Sequence, residues 1–356
     1  MQSEHSKRDY VERIVPFTAG DGMPLNLINV RSRRDPTRGP VLLVHGAGVR
    51  ASLFRPPAET NFVDVLIEHG YDVWLENWRA SIEFAPNHWT LDEAAVFDHP
   101  AAVRKVVEET GHERIKAVIH CQGSTSFAMS AVAGLVPQVD TIVSNAVSLH
   151  PVVPRWSGLK LRFVIPMVAP IMPFMNPHWG VHAPTPMAKL MKWLVKLTHH
   201  ECHNDVCKLV SFTYGSGYPA LWRHENLDAA THDWIREEFG HVPMSFFRQM
   251  AKCVRRGRMV ADNPDLDGVP ADYMSQSPAT DARFALLAGE CSGCFLPESQ
   301  KRTHDFLSSA RPDYHTLHIL PNYSHLDVFI GRHAARDVFP LMIDELDRGG
   351  FPRANM

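Results

Sequence analysis

The sequence has no run of about twenty apolar residues, the length a helix needs to cross a bilayer. Its longest apolar stretch, Phe163 to Met175, is shorter and is interrupted by Pro166, Pro170 and Pro173. Charge of one sign is also lacking: 36 Lys and Arg face 39 Asp and Glu, for a formal net charge of −3. No basic field for nucleic acid results, and a polyanion partner is not expected. The first ten residues are polar and hold no apolar core of a secretory signal, so a cytoplasmic location is expected. Cysteine is sparse. Six in 356 residues, without such a signal, are expected to be free thiols and not a disulfide framework. No internal repeat is visible. With 45% hydrophobic and 21% charged residues the chain is globular, and its length exceeds what one core fills. A core with a large insertion is expected.

Reading along the chain, Arg13 to Phe17 and Leu25 to Val30 flank Gly20-Asp21-Gly22, the pattern of a hairpin. Pro40 to Gly46 is a nearly continuous apolar run, as in a parallel strand buried on both faces. A helical pattern from Phe62 leads to the strand Tyr71 to Leu75. A long amphipathic helix, Leu91 to Thr110, then precedes the strand Ile115 to Ile119, and Thr141 to Ser148 follows as another strand. The alternation stops there. It resumes with Phe284 to Gly289, a helix near Ser299 to Ser309, the strand Tyr314 to Leu320 and a last helix from Ala334 to Arg348. The pattern predicts an α/β fold with a doubly wound, mostly parallel sheet. Residues 1–149 and 280–356 form its two parts, and residues 150–279 form an inserted helical cap.

The run from Ala117 to Ser126 turns from an apolar strand into a helix with Cys121 at the corner. A nucleophile elbow, usually G-x-S-x-G, has this form; here its positions read Ile119-His120-Cys121-Gln122-Gly123. Gly123 supplies the small residue after the nucleophile, whereas Ile119 stands where a small residue is usual. A cysteine at such a corner is either an inert small hydrophobe or a nucleophile. His45-Gly46-Ala47-Gly48 fits an oxyanion loop, with the N–H groups of Ala47 and Gln122 as donors and His45 and Gly46 facing the substrate; an ordinary strand-to-helix turn fits the same four residues. In this architecture a histidine follows the last strand, and His325 stands there as the expected base, raising the thiolate fraction of Cys121. The acid position after Gly289 offers Glu290, with Ser292 as an alternative, neutral orienter. The segment after Phe163 reads either as a lid, with Phe163 and Met167 touching an apolar substrate, or as a loop packed on the core.

The segments Asn61 to Arg79, His120 to Thr125 and Tyr323 to Gly331 resemble the acid-lipase branch of the α/β-hydrolases. They are more similar still to bacterial α/β-hydrolases found alone or fused to cholesterol-oxidase-type flavoproteins, in which an elbow cysteine also occurs. The resemblance implies that Cys121 takes the place of the lipases' serine, His325 that of their histidine, and Ser292 that of their aspartate. It also implies a flavoprotein oxidoreductase as a possible partner. Thr90 to Thr125 is similar to polyhydroxyalkanoate synthases, whose elbow cysteine transfers acyl groups. The expected activity is hydrolysis of an ester or thioester with an apolar acyl or alcohol part. Acyl transfer through the same acyl-cysteine and silent ligand binding are the alternatives. Cys291-x-x-Cys294 and the group His199, His200, Cys202, His203 and Cys207 lie far apart and lack paired metal-ligand spacing, so neither a metal nor another cofactor is expected.

Overall fold

The structure, a computed structural model, describes residues 10–146, 149–217 and 219–349. Eight strands make one sheet: β1 (Tyr10–Thr18), β2 (Pro24–Ser32), β3 (Pro40–Val44), β4 (Asp72–Asn77), β5 (Ile115–His120), β6 (Val139–Asn145), β7 (Arg283–Gly289) and β8 (Thr316–Leu320). Their spatial order is β1-β2-β4-β3-β5-β6-β7-β8. The opening hairpin is antiparallel and β2 meets β4 antiparallel; every later pair is parallel. β3, β4, β5 and β7 are buried along their whole length, because helices cover both faces and no face is left to alternate. On one face α1 (Phe62–Glu68) packs near the C-terminal helix Phe339–Arg348. The other carries α2 (His99–Thr110) and α3 (Cys121–Val132).

The expected strand to Ser148 ends at Asn145, and Val147 and Ser148 lie outside the described residues. The single helix expected from Leu91 is a short α-turn, a π-segment Ala94–Asp98 and α2. Beneath α3 runs a buried polar chain. His99 bonds Glu76 at 2.9 Å through Nδ1 and Ser126 at 2.7 Å through Nε2, and Ser126 donates to the Gln122 carbonyl at 3.0 Å. Fully paired, such a chain avoids the cost of isolated buried polar groups and fixes the first turn of α3.

Between β6 and β7 the chain is mostly helical. It holds α4 (Pro186–Thr198), α5 (Asp205–Tyr214), α6 (Met244–Arg256) and a two-stranded ribbon of Phe174–Met175 with Val242–Pro243. The stretch expected to be broken by prolines starts instead as a helix from Arg155, with a π-segment Lys160–Val164 just before Pro166. Proline has no N–H to donate and its ring crowds the preceding turn, so widening that turn lets the helix run to Val168. Pro170 and Pro173 fall beyond it.

Candidate active site

No residue separates β5 from α3: His120 ends the strand and Cys121 begins the helix. The chain turns there by placing Cys121 at φ 56°, the left-handed region that a side chain disfavours. Two glycines make room for this corner. A Cβ on Gly123 would lie 2.1 Å from the His45 carbonyl oxygen and 2.9 Å from Val44 Cγ1, so the helix closes on the end of β3 only without one. A Cβ on Gly46 would lie 2.9 Å from Cys121 Cβ. Ile119, at the usually small position, is buried in β5 and paired with Val44 and Ser144.

The Cys121 thiol is enclosed, and the backbone N–H groups of Gln122 and Ala47 lie where they favour its thiolate. Burial still dominates and pushes the thiol up to about 12. Ligand atoms of His120, Cys121 and His325 all lie within 4.8 Å of one another. Burial lowers His325 to about 3, so the resting pair is a neutral thiol beside a neutral imidazole. Burial thus works against the expected rise in thiolate fraction. Neither ring nitrogen of His325 has a hydrogen-bond partner among the described residues. Its ring is held by packing, 5.0 Å from the His120 ring and 6.4 Å from that of Phe295.

The expected orienter is not brought to this ring. Glu290 is exposed, and no hydrogen bond joins it to His325, because the backbone of its loop turns toward the histidine loop while its side chain turns out. Its N–H donates to the Leu320 carbonyl. Ser292 is buried, but its hydroxyl also has no partner among the described residues. Asp327, close in sequence, turns away and accepts from Ser324 N at 2.7 Å, Asn226 Nδ2 at 2.7 Å and Arg223 N at 3.2 Å. Burial raises it to about 6.

An apolar cavity opens on Cys121 and Gln122 and is walled by residues such as Val168, Met172, Phe247, Met250 and Phe295. Phe163 and Met167 do not line it; they are 55% and 74% exposed on the outer face of their helix. The period of that helix turns Leu161, Ile165 and Val168 inward instead. His45 is also off the cavity wall. Its Nδ1 lies 2.6 Å from the Gly46 carbonyl, and burial lowers it to about 4.

No protein-family model matches the chain. It is 31% identical to human lipase member K over 358 aligned residues, covering 95% of this chain and 85% of that protein. The chain belongs to the lipase family of α/β-hydrolases. It is also 26% identical to sterol esterase 2 of Saccharomyces cerevisiae, where the match spans 37% of this chain and only 29% of that longer protein. Among solved structures, a thermophilic esterase from Thermogutta terrifontis superposes with a TM-score of 0.58 at 15% identity, covering 95% of this chain and all of that one. That likeness supports the fold.

Within this lipase fold, several residues of the site carry no motif. Asn145, at the end of β6, places its amide nitrogen 2.9 Å from His120 Nδ1 and 3.0 Å from the His325 carbonyl. Tyr214, at the end of α5, donates to the Ala47 carbonyl at 3.1 Å and so braces the loop after β3. Lys160 is half-buried in the cavity wall, donates to the Phe212 and Gly215 carbonyls at 2.6 Å each, and is lowered by burial to about 8. Cys294, of the Cys291-x-x-Cys294 pair, is buried in the same wall, whereas Cys291 is exposed. The only advance signal for Asn145 was its place at the end of a strand beside the elbow.

Proposed function

We propose that the chain hydrolyses carboxylic esters or thioesters with an apolar acyl or alcohol part, through an acyl-cysteine on Cys121. One observation carries the reading: an apolar cavity ends on a sulfur that two convergent backbone N–H groups already address. The sulfur attacks the carbonyl carbon while its proton passes to His325. The oxyanion takes over the Ala47 and Gln122 N–H groups, which then act on a full charge in a water-poor site. Collapse expels the alkoxide or thiolate, which receives the proton from His325. Water, deprotonated by the same imidazole, attacks the thioester and releases the acid. Concerted transfer fits this site better than a standing ion pair, since burial disfavours both charged partners. The insert acts as the cap. Its outer face exposes Trp156, Phe163, Met167, Ile171 and Trp193, an apolar surface suited to a substrate entering from an aggregate.

The unpartnered His325 ring favours a second reading, a protein that binds an apolar ligand without turning it over. Intact-mass analysis after exposure to activated acyl esters and thioesters separates the two. Turnover with one acyl adduct, both lost in Cys121→Ala, supports the enzyme. Labelling that persists in Cys121→Ala, or a protein that neither labels nor turns over any ester of the series, excludes it.

A further inference from the structure

Far from Cys121 in sequence, four side chains of the insert converge: Cys202, Cys207, His224 and His232. Each offers one ligand atom, and these atoms all lie within 4.8 Å of one another. They come from four pieces of chain: the loop after α4, the first turn of α5, the 3-10 turn His224–Asn226 and the short helix Ala229–Trp234. Cys207 Sγ is 3.4 Å from His224 Nε2, and the two histidine rings cross at 86° with centroids 4.9 Å apart. His199, His200 and His203, which the sequence offers beside Cys202, are not in the group.

We infer that these four residues bind one zinc ion, as a structural Cys2His2 site that ties the cap together. A tetrahedral zinc with bonds of about 2.3 Å to sulfur and about 2.1 Å to nitrogen has ligand-to-ligand edges of about 3.4–3.8 Å. The Cys207 to His224 separation already has that value, and the other atoms need only small rotamer adjustments. Two thiolates and two neutral imidazoles make a neutral complex with a divalent ion, which suits a half-buried position. The donor set is too soft for magnesium or calcium.

The surroundings are arranged as a support for such ligands. Asn204 accepts from the N–H groups of Val206 and Cys207 at 3.0 and 3.3 Å, and its amide donates to the His232 carbonyl at 2.8 Å. One side chain thus fixes the backbone of two ligands. Cys207 sits in the first turn of a ten-residue helix, which fixes the direction of its side chain. His232 Nε2 is shut off from solvent and has no partner among the described residues. Both carboxylate oxygens of Glu201 are likewise enclosed without a partner, and they act electrostatically on Cys202 and His224.

Sequence spacing could not show the site, since the cysteines are five residues apart and the histidines lie on separate turns beyond them. The ion's place matters to the rest of the molecule. α5 carries Cys207 in its first turn and ends at Tyr214, which braces the loop after β3, and the Leu221 carbonyl near His224 accepts from the N–H of Leu326, the residue after His325.

The test is metal analysis of the full chain, expressed with zinc in the medium and purified under reducing conditions without chelator. One zinc per chain is expected in the parent and in Cys121→Ser. Cys207→Ser and His232→Ala should each lower it at least about tenfold. Cobalt exchanged into the parent should give a thiolate-to-cobalt charge-transfer band and intense tetrahedral d–d bands; this readout stands even where a ligand variant does not fold. A parent holding below about a tenth of an equivalent overturns the inference. So does cobalt bound without thiolate bands, loss of zinc in Cys121→Ser, or a parent mass lower by two hydrogens from a Cys202 to Cys207 disulfide.

Discussion

Asn145 Nδ2 stands 3.0 Å from the backbone carbonyl oxygen of His325, a bond that joins the end of β6 to the loop after β8 across β7. A carbonyl can only accept, so this contact fixes which end of the amide points at the site. The second hydrogen of the same nitrogen then reaches His120 Nδ1 at 2.9 Å, which places the proton of the neutral His120 ring on Nε2.

Asn145→Ala therefore strands two buried acceptors at once. Leaving a buried acceptor unpaired costs about 1–3 kcal/mol, so urea unfolding should show a loss in that range or somewhat above. Ester turnover should fall about tenfold further than stability explains, because the loop carrying His325 is less well placed. Asn145→Asp should be no better, since a carboxylate faces the His325 carbonyl and repels it. Parent-like turnover and stability in Asn145→Ala would show that packing alone holds the loop.

The pH profile follows from burial. His325 lies near 3 in the folded protein, so it is an unprotonated base at any pH well above that, and Cys121 near 12 remains a thiol across the neutral range. On these values kcat/KM should be level from about pH 5 to about pH 8, without the acid limb near 6.5 of an ordinary histidine base. Alkylation of Cys121 by iodoacetamide should be at least about tenfold slower than that of a free cysteine and should keep rising with pH. A plateau of alkylation at neutral pH would mean a thiolate–imidazolium pair and a different resting state.

Gly123→Ala tests the corner itself. The new Cβ falls 2.1 Å from the His45 carbonyl oxygen, backbone that cannot rotate away. Separating α3 from the end of β3 should cost about 3 kcal/mol or more and should move the Ala47 and Gln122 donors apart. Thermal melting and acyl labelling should fail together. A stable Gly123→Ala protein with parent labelling would show that the elbow is wider than its geometry indicates.

The sheet, the sharp corner at Cys121 and the place of His325 after the last strand could be read from residues because each rests on local signals: buried apolar strands, glycines at Gly46 and Gly123, and a corner cysteine. The helical insert between β6 and β7 could be read only as an interruption. Its helix faces were misjudged at Phe163 and Met167 because a proline-rich apolar stretch has no clear period until a π-turn absorbs Pro166. Glu290 was attractive by position alone, but the direction of its side chain depends on how its loop packs on the histidine loop. A Cβ on Gly289 would lie 1.8 Å from the Ser324 carbonyl oxygen, and this close approach sets that packing. Asn145 and the ligands around Cys207 are brought together by tertiary packing across long stretches of chain, which spacing does not encode.

Ser292 and His325 are both buried and both lack a hydrogen-bond partner among the described residues. Ser292 also stands at the aspartate position implied by the lipase resemblance. Cys121→Ser alone should be nearly inactive, because a hydroxyl needs a well-oriented base. Adding Ser292→Asp should raise the activity of that variant about tenfold or more, with a new acid limb as the buried carboxylate gains an imidazolium partner. No gain in the double variant, with folding intact by circular dichroism, would place Ser292 out of reach of the ring.

Chain-length preference should be set by the wall that the cap contributes. Met250 on α6 and Val168 face the cavity that ends on Cys121, and the lining there is almost wholly apolar, so affinity for the acyl part scales with the methylenes buried. Each methylene accepted or refused by such a wall is worth about 1–3 kcal/mol. Met250→Trp fills space on the cap side without touching the elbow, and should cut kcat/KM for long-chain p-nitrophenyl esters at least about tenfold while leaving acetate and butyrate esters within about twofold. Met250→Ala should shift preference toward longer or bulkier acyl groups, with a modest loss of stability from the space it opens. Both substitutions keep Cys121, His325 and the oxyanion donors unchanged, so a change in the long-to-short ratio isolates the wall from the chemistry. If the two variants reduce all chain lengths by the same factor, the cavity is not where the acyl chain lies.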